Sequence, residues 1–243
     1  MRLPTALVIQ HSPTEPPGRL REWLFEAGVL SEVAEPYLDR ELPPTLDGFA
    51  ALVVLGGGMS VHDDVIAPWL PRTRELLRAA VAAGLPTLGI CLGAELLAEA
   101  CGGRVTQGAE GPEIGPALVA KRDVAAADPL FGPVPFTPDV FQWHYDGVAV
   151  LPPGAVLLAS SPRFPTQAFR LGDAAWGLQF HIETTPDMVR RWAKDDADQL
   201  VEYGIDASRV LARLDEAHAD IAEVWQPFTH RFAELVRRTD PGR

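Results

Sequence analysis

The chain has 243 residues, of which 47% are hydrophobic, and this length and composition suffice for the core of a globular protein. Its 33 acidic and 21 basic residues give a net charge of −12, which argues against a surface for nucleic acid or for an anionic membrane. No apolar run approaches the ~20 residues that span a bilayer, and the N-terminal apolar stretch is too short for a secretory signal. Two cysteines are too few for a disulfide framework, so we expect a cytoplasmic protein.

Strand-like and helix-like segments alternate through the first part of the chain. The spacing of apolar residues predicts strands at 5–10, 51–56 and 85–90, and helices at 18–28, 68–84 and 94–100. This alternation is typical of an α/β fold, in which helices cover both faces of a parallel sheet. Functional sites in such folds lie where the strands end.

Beyond residue 104 the predicted strands are shorter and are separated by proline-rich turns. They fall at 111–122, 139–144, 155–160, 166–171 and 174–183. From Pro186 onwards the chain is charged and has two or three amphipathic helices, which could pack on the rest of the chain, form a homodimer contact or dock a partner. Apolar helical stripes most often face a chain's own core. We therefore predict one domain over 1–190 and a helical C-terminal extension over 191–243 that packs on it.

Cys91 lies between Gly89 and Gly93, where a short apolar strand gives way to a helix. A residue at such a corner is held in a strained turn with its side chain exposed, and flanking glycines supply the backbone clearance. The N-terminus of the following helix favours the thiolate over the thiol. The pattern predicts a nucleophile, and the alternative is a small buried residue at a strand end. Cys101 is assigned no role.

His181 and Glu183 end the predicted strand at 174–183. Residues two apart on a strand point to the same face, so both side chains can lie in one line. A nucleophilic cysteine needs a base to take its proton, and the base needs a carboxylate that fixes its tautomer. Cys91, His181 and Glu183 can fill these three roles.

Three glycines, Gly56 to Gly58, follow the predicted strand at 51–56. Backbone N–H groups that no side chain covers suit an oxyanion hole. An ordinary glycine turn after a strand has the same pattern, so this motif alone leaves both interpretations open.

A group of polar residues near this loop is a weak candidate for a metal site. His62, Asp63 and Asp64, together with His11, do not have the spacing of a common metal-ligand set. We therefore expect a solvated loop there and no metal.

The three motifs together resemble the class I, triad-type glutamine amidotransferase domain. The family pattern is a GG(P)-type oxyanion loop, then a G-x-C-x-G-x-Q elbow, then a strand that ends in F-H-x-E. This chain has GGGMS at 56–60, GICLGAE at 89–95 and QFHIE at 179–183, in the same order. The likeness covers roughly residues 3–190 and is strongest to stand-alone proteins similar to the amidotransferase part of GMP synthase. It implies a flavodoxin-like fold whose central sheet is mostly parallel and flanked by helices.

The resemblance also implies roles for the site residues. Cys91 would be the nucleophile, His181 the base and Glu183 its orienting partner. Gly57 and Leu92 would contribute the N–H groups of the oxyanion hole. No metal or organic cofactor is implied.

Three further residues are expected to contact the substrate, two of which depart from the family pattern. Glu95 stands where the family usually has a glutamine that helps to hold the substrate. An ionised carboxylate there would attract an ammonium group and repel an α-carboxylate, unless it forms an ion pair with an arginine. Gly58 replaces the common proline of the oxyanion loop. His144 belongs to FQWHYD (141–146), which resembles the H-x-D segment near the family's active site.

The implied function is a cysteine-dependent amide hydrolase that releases ammonia from glutamine or a related γ-glutamyl compound through a γ-glutamyl thioester. The chain leaves no room for a synthetase domain that would use the ammonia. A separate synthase subunit could accept it, or the protein could be a free-standing γ-glutamyl hydrolase. A catalytically silent binding or regulatory module of the same fold is the third alternative.

Overall fold

The structure is a computed structural model that describes residues 3–239. Its strands are, in chain order, β1 (Thr5–Ile9), β2 (Leu30–Ala34), β3 (Ala51–Val54), β4 (Thr87–Ile90), β5 (Arg104–Gln107), β6 (Glu113–Leu118), β7 (Ala120–Lys121), β8 (Asp139–His144), β9 (Asp146–Val150), β10 (Val156–Ser160), β11 (Ala168–Leu171) and β12 (Ala175–Leu178). Its α-helices are α1 (Gly18–Glu26), α2 (Leu70–Ala83), α3 (Leu92–Ala100), α4 (Pro186–Asp195), α5 (Ala197–Glu202), α6 (Ala207–Leu211) and α7 (Leu214–Thr239). Two short 3-10 helices span Pro36–Leu38 and Asp123–Ala127.

The central sheet has eight strands in the order β2-β1-β3-β4-β12-β11-β10-β7. The strands from β2 to β12 run parallel, and β11, β10 and β7 continue the sheet in antiparallel pairs. Strands β5 and β9 form one small ladder, and β6 and β8 form another. The predicted α/β fold, with a central sheet flanked by helices, is confirmed.

The parallel strands are buried on both faces because helices cover both. Along β1, Ala6 and Val8 join a core cluster that includes the helices α1 and α7, whereas Leu7 and Ile9 join one that includes α2 and α3. Every residue of β3, β4 and β12 is buried. This explains why their sequences are continuous apolar runs rather than alternating ones.

The register of β4 against β12 determines where the Cys91 elbow and the segment with His181 and Glu183 meet in space. Leu178 pairs with Ile90, and the N–H of Cys91 donates to the carbonyl oxygen of Leu178 at 2.8 Å. The segments that follow the two strands therefore leave the same edge of the sheet side by side, as the carboxyl ends of parallel strands do.

The longest C-terminal helix packs on the rest of the chain, including the small ladder formed by β6 and β8. Helix α7 packs against α1 and β8, and Trp225 donates from Nε1 to the carbonyl oxygen of Asp139 at 2.8 Å. Trp225 and Phe228 also form edge contacts with Phe131. The predicted division at residue 190 falls inside α4, and the last four residues of the predicted extension, 240–243, lie outside the described residues.

None of the helices in the described chain combines the length and the hydropathy that crossing a bilayer requires. Some sequence-predicted boundaries were wrong. The strand predicted at 174–183 ends at Leu178, and the sequence patterns missed β2, β5 and β9.

Candidate active site

Cys91 lies in the turn between β4 and α3, with backbone angles of φ 51° and ψ −113°. A positive φ is unfavourable for a residue with a side chain, so the surrounding structure must hold this conformation. The two flanking glycines are required by close packing. A Cβ on Gly89 would meet the carbonyl of Gly93, and a Cβ on Gly93 would overlap the carbonyl oxygen of Val54. The elbow therefore tolerates no side chain at either glycine.

The thiol of Cys91 is buried, which corrects the expectation of an exposed thiolate. Cys91 is 7% exposed, and its Sγ donates to the carbonyl oxygen of Trp143 at 3.9 Å. Burial raises the pKa of the thiol to about 11, although the charge of His181 and a side-chain hydrogen bond with it act to lower that pKa. Burial therefore opposes the thiolate, and His181 is the group beside Cys91 that can take the thiol proton.

His181 and Glu183 form a buried pair just beyond β12. The Nδ1 atom of His181 lies 2.7 Å from Oε1 of Glu183, and each residue is 1% exposed. Burial acts to lower the pKa of His181, but the charge of Glu183 and the interactions with Cys91 raise this pKa well above its usual value. The other oxygen of Glu183 accepts from the N–H of Ile182 at 3.0 Å, so both oxygens of the carboxylate are fixed.

Backbone pairing, rather than a continuous strand, positions His181. The strand β12 ends at Leu178, and an isolated bridge then joins His181 to Phe141 of β8. The N–H of His181 donates to the carbonyl oxygen of Phe141 at 2.8 Å. The imidazole also packs on Trp192 of α4, with ring centroids 4.9 Å apart.

The glycine loop after β3 packs against the elbow. A Cβ on Gly57 would lie 2.7 Å from Cδ2 of Leu92, and one on Gly56 would lie 3.1 Å from Cε1 of His181. Gly58 borders the cavity and has open space where a side chain would be. The loop thus brings Gly57 and Leu92 together at the N-terminus of α3.

Glu95 lines the same cavity and is 4% exposed. Its Oε1 accepts from Nε2 of Gln179 at 2.8 Å, so the partner is an amide and not the arginine considered as an alternative. Burial raises the pKa of Glu95 to about 7; the Gln179 hydrogen bond lowers it and the charge of Asp146 raises it. The direction of this shift disfavours the ionised carboxylate that the sequence analysis considered at this position.

His144 is also brought to the cavity and is buried, with 3% exposure. Its Nδ1 lies 2.8 Å from the carbonyl oxygen of Asp146, and its Nε2 lies 3.5 Å from Oε2 of Glu113. The edge contact with Phe164, at 4.4 Å between ring centroids, fixes the ring further.

The sequence patterns missed a carboxylate beside the triad. Glu15, in the loop after β1, packs its carboxylate against Gly56. Burial raises the pKa of Glu15 to about 7; the charge of His181 lowers it, and those of Glu183 and Asp196 raise it. Because Glu15 lies in a loop of prolines and polar residues, no periodicity marked it as a site residue.

The cavity around these groups has a volume of about 500 Å³. This lies within the usual range for ligand-binding pockets. The carboxylates that line it are Glu15, Asp63, Glu95, Asp146, Asp195, Asp196 and Glu202. The aromatic side chains that line it are Trp143, Tyr145, Trp192 and Tyr203. Residues from 192 onwards thus form part of the cavity wall, a role that no sequence pattern indicated.

The polar residues once considered as metal ligands have other partners. Asp64 pairs with Arg74, and Asp63 accepts from the N–H of Ser60 at 2.8 Å. His11 is buried rather than solvated; its Nδ1 accepts from Nε1 of Trp69 at 2.9 Å, and burial lowers its pKa to about 3. Among residues 3–239 no cluster of three or more His, Cys, Asp or Glu side chains has the geometry of a metal site.

Relatives of known sequence match most of the chain. The protein YfeJ of Salmonella typhimurium, described as glutamine amidotransferase-like, is 30% identical over 197 residues, which are 80% of this chain and 82% of YfeJ. The glutamine-hydrolyzing GMP synthase of Thermomicrobium roseum is 40% identical over 131 residues. These are 54% of this chain but only 23% of the synthase.

Solved structures match nearly the whole fold. A glutamine amidotransferase from Methylobacillus flagellatus has a TM-score of 0.86 at 32% identity, covering 96% of this chain and 95% of that one. A glutamine amidotransferase from Thermotoga maritima has a TM-score of 0.85 at 28% identity, covering 96% and 100%. The family model "glutamine amidotransferase class-I" matches residues 20–192. The chain therefore belongs to the class-I glutamine amidotransferase family.

Proposed function

We propose that the protein is a cysteine-dependent amide hydrolase that acts on glutamine or on a related γ-glutamyl amide. One observation carries this proposal. The strained Cys91 lies beside His181, whose Nδ1 is held 2.7 Å from Glu183, and both Cys91 and His181 line a cavity of about 500 Å³. A nucleophile, a base and a residue that orients the base are the three groups that acyl transfer needs.

The first half of the reaction forms a thioester. Because Glu183 occupies Nδ1 of His181, Nε2 is the nitrogen available to take the thiol proton. The sulfur of Cys91 attacks the carboxamide carbon, and the carbonyl oxygen becomes an oxyanion. His181 then gives its proton to the leaving nitrogen, the carbon–nitrogen bond breaks, and a γ-glutamyl thioester remains.

The second half releases the acid. A water molecule attacks the thioester carbon while His181 takes one of its protons. The carbon–sulfur bond breaks, the sulfur regains a proton from His181, and the γ-carboxylic acid leaves. In both halves the N–H groups of Gly57 and Leu92 would stabilise the oxyanion, and the loss of one such donor costs about 3–4 kcal/mol in comparable sites.

The pKa values of Cys91 and His181 determine the pH range in which the proposed reaction can run. Burial raises the pKa of Cys91, and the pKa of His181 lies well above its usual value because the charge of Glu183 and the interactions with Cys91 outweigh burial there. At low pH His181 is protonated and cannot act as a base. The activity should therefore rise with pH as His181 loses its proton, above the ordinary histidine range.

The fate of the ammonia is a separate proposal. The GMP synthase relative is far longer than this chain, which spans 23% of it, so a separate synthase subunit could accept the ammonia here. The alternatives are a free-standing γ-glutamyl hydrolase and a silent module. A glutaminase assay distinguishes them: turnover by the lone chain favours the hydrolase, and turnover only with an added lysate favours a partner. No turnover in either case, with Cys91→Ala as the blank, contradicts the proposed catalysis.

A further inference from the structure

One buried histidine of the longest helix lies behind the backbone that carries the candidate triad. His218, near the start of α7, is 0% exposed. Its Nδ1 lies 2.7 Å from the carbonyl oxygen of Leu214, and because a carbonyl oxygen can only accept, Nδ1 carries the ring proton. In the neutral ring Nε2 is then an acceptor, and the hydroxyl of Thr184 donates to it at 3.1 Å. Thr184 is itself 0% exposed and directly follows Glu183.

The surroundings of His218 favour its neutral form. Burial lowers the pKa of His218, whereas the hydrogen bond to Leu214 raises it. The charges of Arg19 and Arg190 lower this pKa and that of Asp215 raises it, and the net direction is downwards. The guanidinium of Arg19 is close because it donates to the carbonyl oxygen of His218. The lowered pKa keeps Nε2 free of a proton at neutral pH, so this atom can accept from the hydroxyl.

The polar pair of His218 and Thr184 exceeds what packing requires. A leucine or a phenylalanine would fill a buried position without any polar atom to satisfy, and buried polar side chains are costly when they lack a partner. Here each side chain supplies the partner of the other, away from water. A hydrogen bond fixes distance and direction, which apolar contact does not. The pair is therefore a directional link between α7 and the residue after Glu183.

This link is one of two that hold the main chain around Glu183. On the other side, the carbonyl oxygen of Glu183 accepts from the N–H of Arg19 at 2.9 Å, and a Cβ on Gly18 would overlap that oxygen. With Arg19 bound to this carbonyl and Thr184 bound to α7, the backbone of Glu183 has little freedom to shift. The carboxylate lies 2.7 Å from Nδ1 of His181, so any shift of the main chain would change that contact.

The ring of His218 also packs on the residue that pairs with His181. It stacks on Phe141 with ring centroids 5.6 Å apart and an interplanar angle of 27°. The carbonyl oxygen of Phe141 in turn accepts from the backbone N–H of His181 at 2.8 Å. One side chain of α7 therefore lies against the supports of both members of the His181–Glu183 pair. His218 follows residues 20–192, which the family model matches, so the C-terminal part of the chain supplies this support.

We propose that His218 is a positioning residue for the His181–Glu183 pair, which it holds through Thr184 and Phe141. This inference rests on the proposed hydrolysis and adds to it a residue that does not line the cavity. Catalytic groups tolerate displacements of only about 0.5 Å, and a misplacement of about 1 Å caused by a distant substitution can lower the rate about 10²-fold. Loss of the link should therefore lower kcat and leave KM nearly unchanged, because the substrate contacts stay in place.

The test compares variants that remove the hydrogen bond with one that keeps it. Thr184→Val has nearly the same shape and lacks the hydroxyl, and His218→Phe keeps a ring to stack on Phe141 and lacks the acceptor. His218→Gln places an amide oxygen near the position of Nε2 and can still accept. We expect kcat per active site to fall about 10- to 100-fold in the first two variants, with KM within about twofold, and to stay within about threefold in His218→Gln. His230→Gln is the matched control, because His230 lies at the surface of the same helix beside Glu26.

Two measurements separate positioning from a loss of stability. Labelling of Cys91 with a glutamine-mimicking electrophile counts the folded sites, so unfolded protein does not lower the kcat per site. The pH profile reports on His181. The charge of Glu183 raises the pKa of His181, so a displaced carboxylate lowers this pKa and moves the rise of kcat/KM to lower pH. A variant that is only less stable keeps the wild-type profile.

The outcomes separate this inference from the proposed function. If Thr184→Val keeps the wild-type kcat per site and pH profile, the inference is overturned and the hydrolysis stands; this result decides even where His218→Phe does not fold. Equal losses in His218→Gln and His218→Phe also overturn it. If the wild-type chain hydrolyses no amide, the proposed function fails, and NMR titration of the His181 ring decides the inference. A pKa of His181 that is lowered in Thr184→Val and kept in His218→Gln supports the positioning role, and an unchanged pKa in Thr184→Val overturns it.

Discussion

Replacing Glu183 with glutamine tests the pair on which the proposed mechanism depends. Glu183 accepts from two donors: Nδ1 of His181 at 2.7 Å and the N–H of Ile182 at 3.0 Å. Glutamine offers one oxygen and one NH₂ group, so one of these donors must face another donor. Water cannot relieve the conflict easily, because both His181 and Glu183 are 1% exposed.

The size of the expected loss of rate depends on which of the two donors loses its acceptor. If the amide oxygen stays with Ile182, the NH₂ group faces Nδ1 of His181 and drives the ring proton to Nε2, where the proton of Cys91 should arrive. Loss of a charge-assisted hydrogen bond costs about 1.5–3 kcal/mol, or roughly a tenfold to hundredfold loss of rate. The wrong tautomer extends the loss to about 10⁴-fold. We expect kcat/KM to fall by about 10²- to 10⁴-fold, and by more in His181→Ala.

The assay is hydrolysis of glutamine and γ-glutamyl amides across pH, with the exposed Glu110→Gln as a matched control of unchanged activity. The charge of Glu183 raises the pKa of His181. Removing that charge lowers this pKa, so the rise of the residual activity with pH should move to lower pH. A folded Glu183→Gln variant with wild-type kcat/KM and an unshifted pH profile would refute the reasoning.

The other predictions concern the thiol, the glycine loop and Glu95. A glutamine-mimicking electrophile should label Cys91 stoichiometrically, as read by mass spectrometry. A label found chiefly on Cys101 would contradict the assignment of Cys91 as the nucleophile. Gly57→Ala keeps the backbone N–H but adds a methyl that would displace Leu92 and the loop, so kcat should fall by about 10²-fold or more; unchanged kinetics would contradict the argument that close packing at Gly57 fixes the loop for catalysis. The pKa of Glu95 is raised to about 7 from 4.5. The folded state therefore holds that proton more tightly, and wild type loses up to about 3 kcal/mol of stability as pH rises from about 4.5 through 7. Glu95→Gln removes this loss, so its advantage in urea unfolding should grow over that range, and a pH-independent difference would contradict the burial argument. Its kcat/KM for glutamine should rise if the carboxylate sets specificity.

The sequence could predict the parallel half of the sheet because its strands are buried on both faces. Such strands are short, mostly apolar runs, as in ALVVLG at 51–56 and LPTLGI at 85–90. By contrast, β2 exposes alternate residues, and its sequence LSEVA carries little periodic signal. The strand predicted at 174–183 fails for a tertiary reason. After Leu178 the chain leaves β4 and pairs with Phe141 instead.

For the candidate site, the sequence could predict which residues meet but not their surroundings. The exposure of Cys91 depends on Trp143 and on helices distant in sequence, so a local elbow pattern could not show that the thiol is buried. Glu15 has no periodic pattern around it at all. The part of the cavity lining that follows residue 192 had one available signal, the acidic run AKDDADQLVEY at 193–203, which resembles any solvated helical surface. The roles of the triad residues stay predictions until the variants are measured.

Two separate stretches of chain line the cavity, and this has a consequence for how the substrate specificity of the protein can evolve. The reacting groups lie between Gly56 and Glu183, whereas the part of the lining from Trp192 to Tyr203 belongs to α4, α5 and the residues beside them. Two tryptophans fix this second part in place: Trp192 donates to the carbonyl oxygen of Thr14, in the loop after β1, at 2.9 Å, and Trp143 donates to Asp196 at 2.7 Å. With Trp192 and Asp196 kept, exchanging the other residues of the segment from 195 to 203 among paralogues should alter which leaving group is accepted while the acyl chemistry is inherited unchanged.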